Sequence, residues 1–141
     1  IKTDDIYKIK DTIQVTIDNY RNYFKDCKEG LIKSWPNDYF VRAWLVHMKS
    51  DGKLSAHMHQ FAWLSGVIYI NVPPKNKSNS GNLVLSTTPP DLEKQNKKIV
   101  DVVNGTLCLF PSSLYHHTIP FKSIEDRIVL AFDVIKNFDD E

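Results

Sequence analysis

Little in this chain ties it to a membrane, a nucleic acid or an oxidising compartment. No apolar run comes near the roughly 20 residues that a bilayer-spanning helix needs, and no charged-then-apolar start resembles a signal peptide. A formal net charge of only +1 over 141 residues gives no electrostatic reason to expect nucleic acid or an anionic membrane as partner. Lys75/Lys77 and Lys97/Lys98 sit among loop residues and read as solvated surface. Cysteine is scarce: Cys27 and Cys108 make neither a disulfide framework nor a zinc pattern, so free thiols in a reducing, cytoplasmic compartment are expected. Cys108 lies in the apolar run Leu107-Cys108-Leu109-Phe110 and reads as a buried, inert thiol. Internal repeats and an obvious boundary between two domains are missing as well. The chain starts at Ile1 rather than Met, which fits a piece cut from a longer protein.

What is present is an ordinary globular profile, 42% apolar and 11% aromatic, long enough to bury a core of its own. We expect a single domain over 1–141, with a helical N-terminal support (1–38) and a core over 39–135. In the support, Ile6, Ile9, Ile13, Ile17, Tyr20 and Phe24 recur at three- and four-residue steps, the mark of one helical face. Thr3, Asp4 and Asp5 suit the start of that helix and Gly30 its stop. Its apolar face is expected to pack on a sheet.

From Tyr39 the period changes to two. Strands are predicted over Phe40 to Met48, Leu54 to His59, Trp63 to Val72, Asn82 to Ser86, Ile99 to Val103, Thr106 to Phe110 and Arg127 to Ile135. Ser50-Asp51-Gly52-Lys53 and Asn104-Gly105 supply turns. Lys75 to Gly81 and Thr87 to Lys98 read as loops, and as candidate lids where specificity would reside. One helix followed by seven or eight short strands argues for a sandwich, barrel or jelly roll.

Three features carry chemistry. In His57-Met58-His59 the imidazoles stand two apart, so on a strand both point to one face. Imidazole is a common neutral ligand for iron, zinc, copper and nickel, although a pair of surface histidines would look the same. His116-His117 is the second feature, and the two clusters hold four of the chain's five histidines. Distant strands become neighbours in a jelly roll, so one late histidine could complete a site begun at His57. Three ligands on one side of a metal leave positions for substrate and oxygen, as in non-haem Fe(II) oxygenases. The third feature is Arg127, opening the buried run Ile128-Val129-Leu130-Ala131-Phe132. A guanidinium there needs an anion, because it cannot shed its charge. Glu125 or Asp126 could supply it from within the protein; otherwise a bidentate carboxylate from outside would.

These features fall in one order. His57-Met58-His59, then Leu64-Ser65-Gly66-Val67-Ile68-Tyr69, then Leu109-Phe110-Pro111-Ser112-Ser113-Leu114-Tyr115-His116, then Pro120, then Arg127 to Asp133 resemble the small prolyl-hydroxylase-like branch of the 2-oxoglutarate/Fe(II)-dependent dioxygenases of bacteria and phages. The order also resembles the C-terminal oxygenase domain of some tetratricopeptide-repeat proteins and, more distantly, the aspartyl/asparaginyl β-hydroxylases. The resemblance covers residues 39–135. It implies a mainly β, cupin-like double-stranded β-helix (a jelly roll). It implies Fe(II) as cofactor and 2-oxoglutarate as co-substrate, with hydroxylation of a small-molecule or peptide substrate and release of succinate and CO2.

Carried over, His57 is the first metal ligand and His116 the distal one, with His117 the alternative. Arg127 grips the far carboxylate of 2-oxoglutarate, and Tyr69 is a further donor to it or a core tyrosine. His59 stands where the superfamily has Asp or Glu, which leaves its own ligation open. Two rival readings follow from the same residues: a three-histidine cupin enzyme that does not use 2-oxoglutarate, and a catalytically silent binding module.

Overall fold

Near residue 39 the hydrophobic period changes, and there helix gives way to sheet. The computed structural model describes residues 2–94 and 96–137, and the chain divides into two units, Ile1–Asn37 and Asp38–Glu141. The first unit holds α1 (Thr3–Tyr23) and the short α2 (Gly30–Lys33). Asp4 and Asp5 lie in the first turn of α1 and Arg21 in its last, the signs that complement the helix dipole. Of the predicted stripe, Ile13 and Ile17 are buried while Ile6 and Ile9 stay exposed. Tyr20 packs against Phe24 and Trp35, with ring centroids 4.7 and 6.4 Å away. Gly30 does not stop α1 as expected; the helix ends at Tyr23 and Gly30 opens α2. The polar run Lys25 to Glu29 offers too little apolar surface to prolong the stripe. Among the described residues no helix is long and apolar enough to cross a membrane.

The second unit is mainly β. Among the described residues its strands are β1 (Tyr39–Met48), β2 (Leu64–Asn71), β3 (Leu83–Ser86), β4 (Lys97–Val100), β5 (Leu107–Pro111), β6 (Tyr115–Thr118) and β7 (Arg127–Lys136). They form two antiparallel sheets, in the orders β1-β7-β2-β5 and β4-β3-β6. β7 lies between β1 and β2, so that Arg42 and Ser65 flank Asp133, Trp44 and Val67 flank Ala131, and Val46 and Tyr69 flank Val129. Side chains alternate along each strand, which sets all of these residues, with Arg127, on one face. Tyr69, Leu83, Val102, Phe110 and Val129, drawn from both sheets, form the buried core cluster. On the opposite face a Cβ at Gly66 would stand 2.1 Å from Phe132 Cζ. Glycine is what lets that ring lie across β2, and overpacking there would cost about 1–3 kcal/mol.

The strand predictions need correction at three places. Residues 54–59 form no regular strand: His57 makes a single bridge to His116, and the next donor, His59 N–H, reaches Ser112 O instead of continuing the ladder. Tyr115 to Thr118 is a strand that sequence reading passed over, because its polar Tyr-His-His-Thr composition carries no apolar alternation. The predicted strand Ile99 to Val103 lies earlier, at β4. Asn104-Gly105 does turn, with Gly105 at φ +75° and Thr106 N–H bonded to Val103 O. It carries the chain from one sheet to the other rather than closing a hairpin.

Candidate metal and co-substrate site

The bridge between residues 57 and 116 is what assembles the histidines. Ring centroids of His57 and His116 are 4.3 Å apart, those of His57 and His59 5.2 Å, and those of His59 and His116 5.0 Å. One ring nitrogen from each lies within 4.8 Å of the other two, a spacing that could hold a metal ion. His117 is not part of this cluster; it borders both the cavity beside the three histidines and a separate one that it lines with Ser86, Thr88 and Tyr115.

Each imidazole is held through Nδ1. His57 Nδ1 lies 2.8 Å from Ser55 O, and His116 Nδ1 3.1 Å from Leu114 O. His59 Nδ1 lies 2.7 Å from Asp133 Oδ1. All three partners are acceptors, so each Nδ1 carries a proton, and in the neutral imidazole that leaves Nε2 with the lone pair. A metal ligand oriented by a hydrogen bond on its other nitrogen is the usual protein arrangement. Burial pushes the His116 imidazole down to about 4, helped by the neighbouring His57 and His59 and opposed by the Leu114 carbonyl and Asp133. It stays neutral, as a ligand must. Burial alone would raise the Asp133 carboxyl, but hydrogen bonds from His59 and Ser65 and the positive charge of Arg42 hold it below the ordinary range.

Beside the histidines lies a cavity of about 80 Å³ walled by Val67, Leu83, Val129 and Ala131, with Tyr69 and Arg127 also lining it. Arg127 is 3% exposed, and among the described residues no carboxylate pairs with it. Asp126, one of the two acids expected to serve, is engaged by His47 at 2.6 Å. Arg127 sits 5.5 Å over the Tyr69 ring, and both Arg127 Nε and Tyr69 Oη are buried without a hydrogen-bond partner among the described residues. Burial raises the Tyr69 hydroxyl far above its ordinary value, so it is a donor. A buried cation and two unsatisfied polar atoms fit a carboxylate guest, since each polar group left unpaired costs about 1–3 kcal/mol and a charged one more.

A second, open groove of about 390 Å³ also borders His59, lined by Arg42, Trp44, Met58, Gln60, Phe61 and Asp133. Sequence reading missed it. Arg42 and Trp44 could have been found from the β1 alternation that they share with Val46; Phe61, in a turn, carries no such signal. The two loops taken as candidate lids line neither the groove nor the 80 Å³ cavity among the described residues.

Comparison with known proteins bears on the family and the fold. A family described as “Putative 2OG-Fe(II) oxygenase” matches residues 42–133. No curated protein matches the chain in sequence. Among solved structures it is similar to a Pseudomonas putida prolyl-4-hydroxylase (TM-score 0.57, 16% identity, covering 86% of this chain and 63% of that one). A 2OG-Fe(II) oxygenase-family oxidoreductase from Burkholderia pseudomallei is also similar (0.58, 15%, 83% and 52%). So is the viral collagen prolyl hydroxylase of Paramecium bursaria Chlorella virus-1, solved as a 2OG complex (0.59, 14%, 92% and 73%). At these identities the likeness is one of fold, and the chain spans less than two thirds of the first two.

Proposed function

The chain belongs to the 2OG-Fe(II) oxygenase family, and on that premise we propose that it is an Fe(II)- and 2-oxoglutarate-dependent hydroxylase. The observation that carries the reading is the pairing, around one small cavity, of three converging imidazoles with a buried guanidinium that lacks an acid among the described residues. The fold agrees. With the His57 bridge counted, the chain visits the sheets in the order first, second, first, second, second, first, second, first, which supports a double-stranded β-helix.

In this reading His57, His59 and His116 hold Fe(II) through Nε2. Arg127 grips the far carboxylate of 2-oxoglutarate in a bidentate pair, with the Tyr69 hydroxyl as further donor. Val67, Leu83, Val129 and Ala131 exclude water from that end of the cavity. The iron and co-substrate supply the oxidising power when bound, with O2 consumed and succinate and CO2 released for each hydroxyl group formed. The open groove beside His59 is where a small-molecule or peptide substrate would enter, and the neighbours' names make a prolyl side chain one candidate. Free Cys27 and Cys108 suit a reducing, cytoplasmic compartment.

An anaerobic titration of Fe(II)-loaded protein with 2-oxoglutarate, following the visible charge-transfer band of the chelate, tests this. A saturable band in the wild type, lost in both His57→Ala and Arg127→Ala, is expected. A second reading is favoured by the ligand set itself, three imidazoles and no carboxylate among the described residues: a three-histidine enzyme without 2-oxoglutarate. Bound metal with no band would select it, and no bound metal would leave a silent binding module.

A further inference from the structure

Of the three imidazoles, His57 and His116 take their tethers from backbone carbonyls two residues earlier. Any sequence with the same backbone would supply those. His59 is different: its tether is a side chain, Asp133, that comes from β7 and lies 74 residues away. We propose that Asp133 is a positioning residue that makes His59 a metal ligand, standing one hydrogen bond outside the coordination sphere. The inference rests on the metal site proposed above, and on nothing about 2-oxoglutarate.

Three observations support it. Asp133 is 2% exposed and Ser112 0%, so the carboxylate is fixed by the interior rather than by solvent. Ser65 Oγ–H donates to Asp133 Oδ1 at 2.8 Å, and Ser65 Oγ is itself 2.9 Å from Ser112 Oγ. Oδ1 therefore receives both Ser65 and His59, while Oδ2 faces Arg42 Nη2 at 3.6 Å. A buried acid of this kind is costly to keep unless it is hydrogen-bonded, and here Oδ1 accepts two hydrogen bonds while Oδ2 has only the looser ion contact with the solvated Arg42.

The chemistry of the pair then decides the tautomer. An ionised carboxylate only accepts, so His59 Nδ1 must donate, and the Nε2 lone pair is left to face His57 and His116. An amide in place of Asp133 could donate to Nδ1 instead. The proton would then move to Nε2 and close that position to a metal, as the wrong tautomer disables a catalytic triad when its acid becomes an amide. The chain thus keeps a negative charge close to the metal position although it has His where the resembling family has an acid.

Co(II) serves as the probe, titrated into metal-free full chain and followed by its visible absorption, with no 2-oxoglutarate present. Asp133→Asn should weaken Co(II) binding about 10- to 100-fold. In a His59→Ala background the same substitution should change binding by less than about twofold, because a residue acting through His59 has nothing left to act on. Ser65→Ala should show the same dependence on His59 with a smaller loss, about two- to tenfold, and it decides the matter if Asp133→Asn does not fold. Equal losses in both backgrounds, or undiminished binding in Asp133→Asn, would overturn the proposal. Failure of the oxygenase reading looks different: Co(II) binding coupled through Asp133 and His59, but no 2-oxoglutarate band with iron.

Discussion

Two arginines bracket His59, and they make a controlled comparison. Both lie on the same face of neighbouring strands, and both sit over an aromatic ring: Arg127 at 5.5 Å from the Tyr69 centroid, Arg42 at 5.8 Å from that of Trp44. Arg127 is 3% exposed and has no carboxylate among the described residues. The Arg42 side chain is 66% exposed and lies 3.6 Å from a carboxylate, that of Asp133. The buried cation therefore lacks what it needs most, and the solvated one has a partner that it needs less. Residue type and aromatic neighbour are common to both. Burial sets the difference in what each can do: one creates demand for an anionic guest, the other is already satisfied by water and Asp133.

The comparison breaks most sharply at Arg127→Met. Removing the cation should weaken 2-oxoglutarate binding by about a thousandfold, or about 4 kcal/mol, as losing one partner of a buried charged pair does. The same change should leave the guest-free protein no less stable, and by analogy with other apolar replacements of buried charge it should gain about 1–4 kcal/mol. Thermal melting of the metal-free chain beside the 2-oxoglutarate titration checks both. Loss of stability in Arg127→Met would mean that the guanidinium already has an internal partner, and the contrast with Arg42 would collapse.

Burial sharpens the same lesson at His116. Its imidazole titrates near 4 in the folded chain against an ordinary 6.5, so the folded state takes up its proton later than the unfolded state. Stability should be fully present above about pH 6.5, fall as pH drops through the interval, and level off below about 4. The expected loss is about 3 kcal/mol for this group. Urea unfolding of the metal-free protein from pH 7 to 4, wild type against His116→Asn, isolates it. A parallel pH slope in both proteins would count against a desolvated His116.

Much of this was legible in the sequence, and what was not has a common cause. Alternation is a local signal, and it located β1, β2 and β7, whose faces are strongly patterned. His57, His59 and His116 were legible through the order in which the two histidine clusters, the runs Leu64 to Tyr69 and Leu109 to His116, and Arg127 follow one another; the His-x-His spacing alone would suit two surface histidines equally well. Pairing between distant strands is not local. Only the register of β7 between β1 and β2 brings Asp133 and Ser65 together and opens the face behind His59. Asp133 has no acid- or histidine-spaced motif around it, so its contact with His59 could not be read in advance. β6 escaped for a different reason: its histidines replace the apolar residues that reveal a strand, and the residues that made the site visible hid the element that holds one of them.

The smallest expected effect is at Arg42. Its ion pair with Asp133 has one buried and one solvated member, so its Coulomb attraction is screened and its side chain loses entropy in holding the pose. Exposed pairs of this kind are worth about 0–1 kcal/mol, and Arg42→Met should shift stability by no more than that. Whatever shift appears should shrink in high salt, where the screening length falls to about 3 Å at 1 M. Binding of 2-oxoglutarate should change by less than about twofold, because the groove that Arg42 lines and the cavity that Arg127 lines are separate and meet only at Trp44 and His59. A loss above about 2 kcal/mol that persists in high salt would show that Asp133 depends on Arg42 for its charge. The solvated arginine would then join the buried network behind His59, and exposure alone could no longer rank the two.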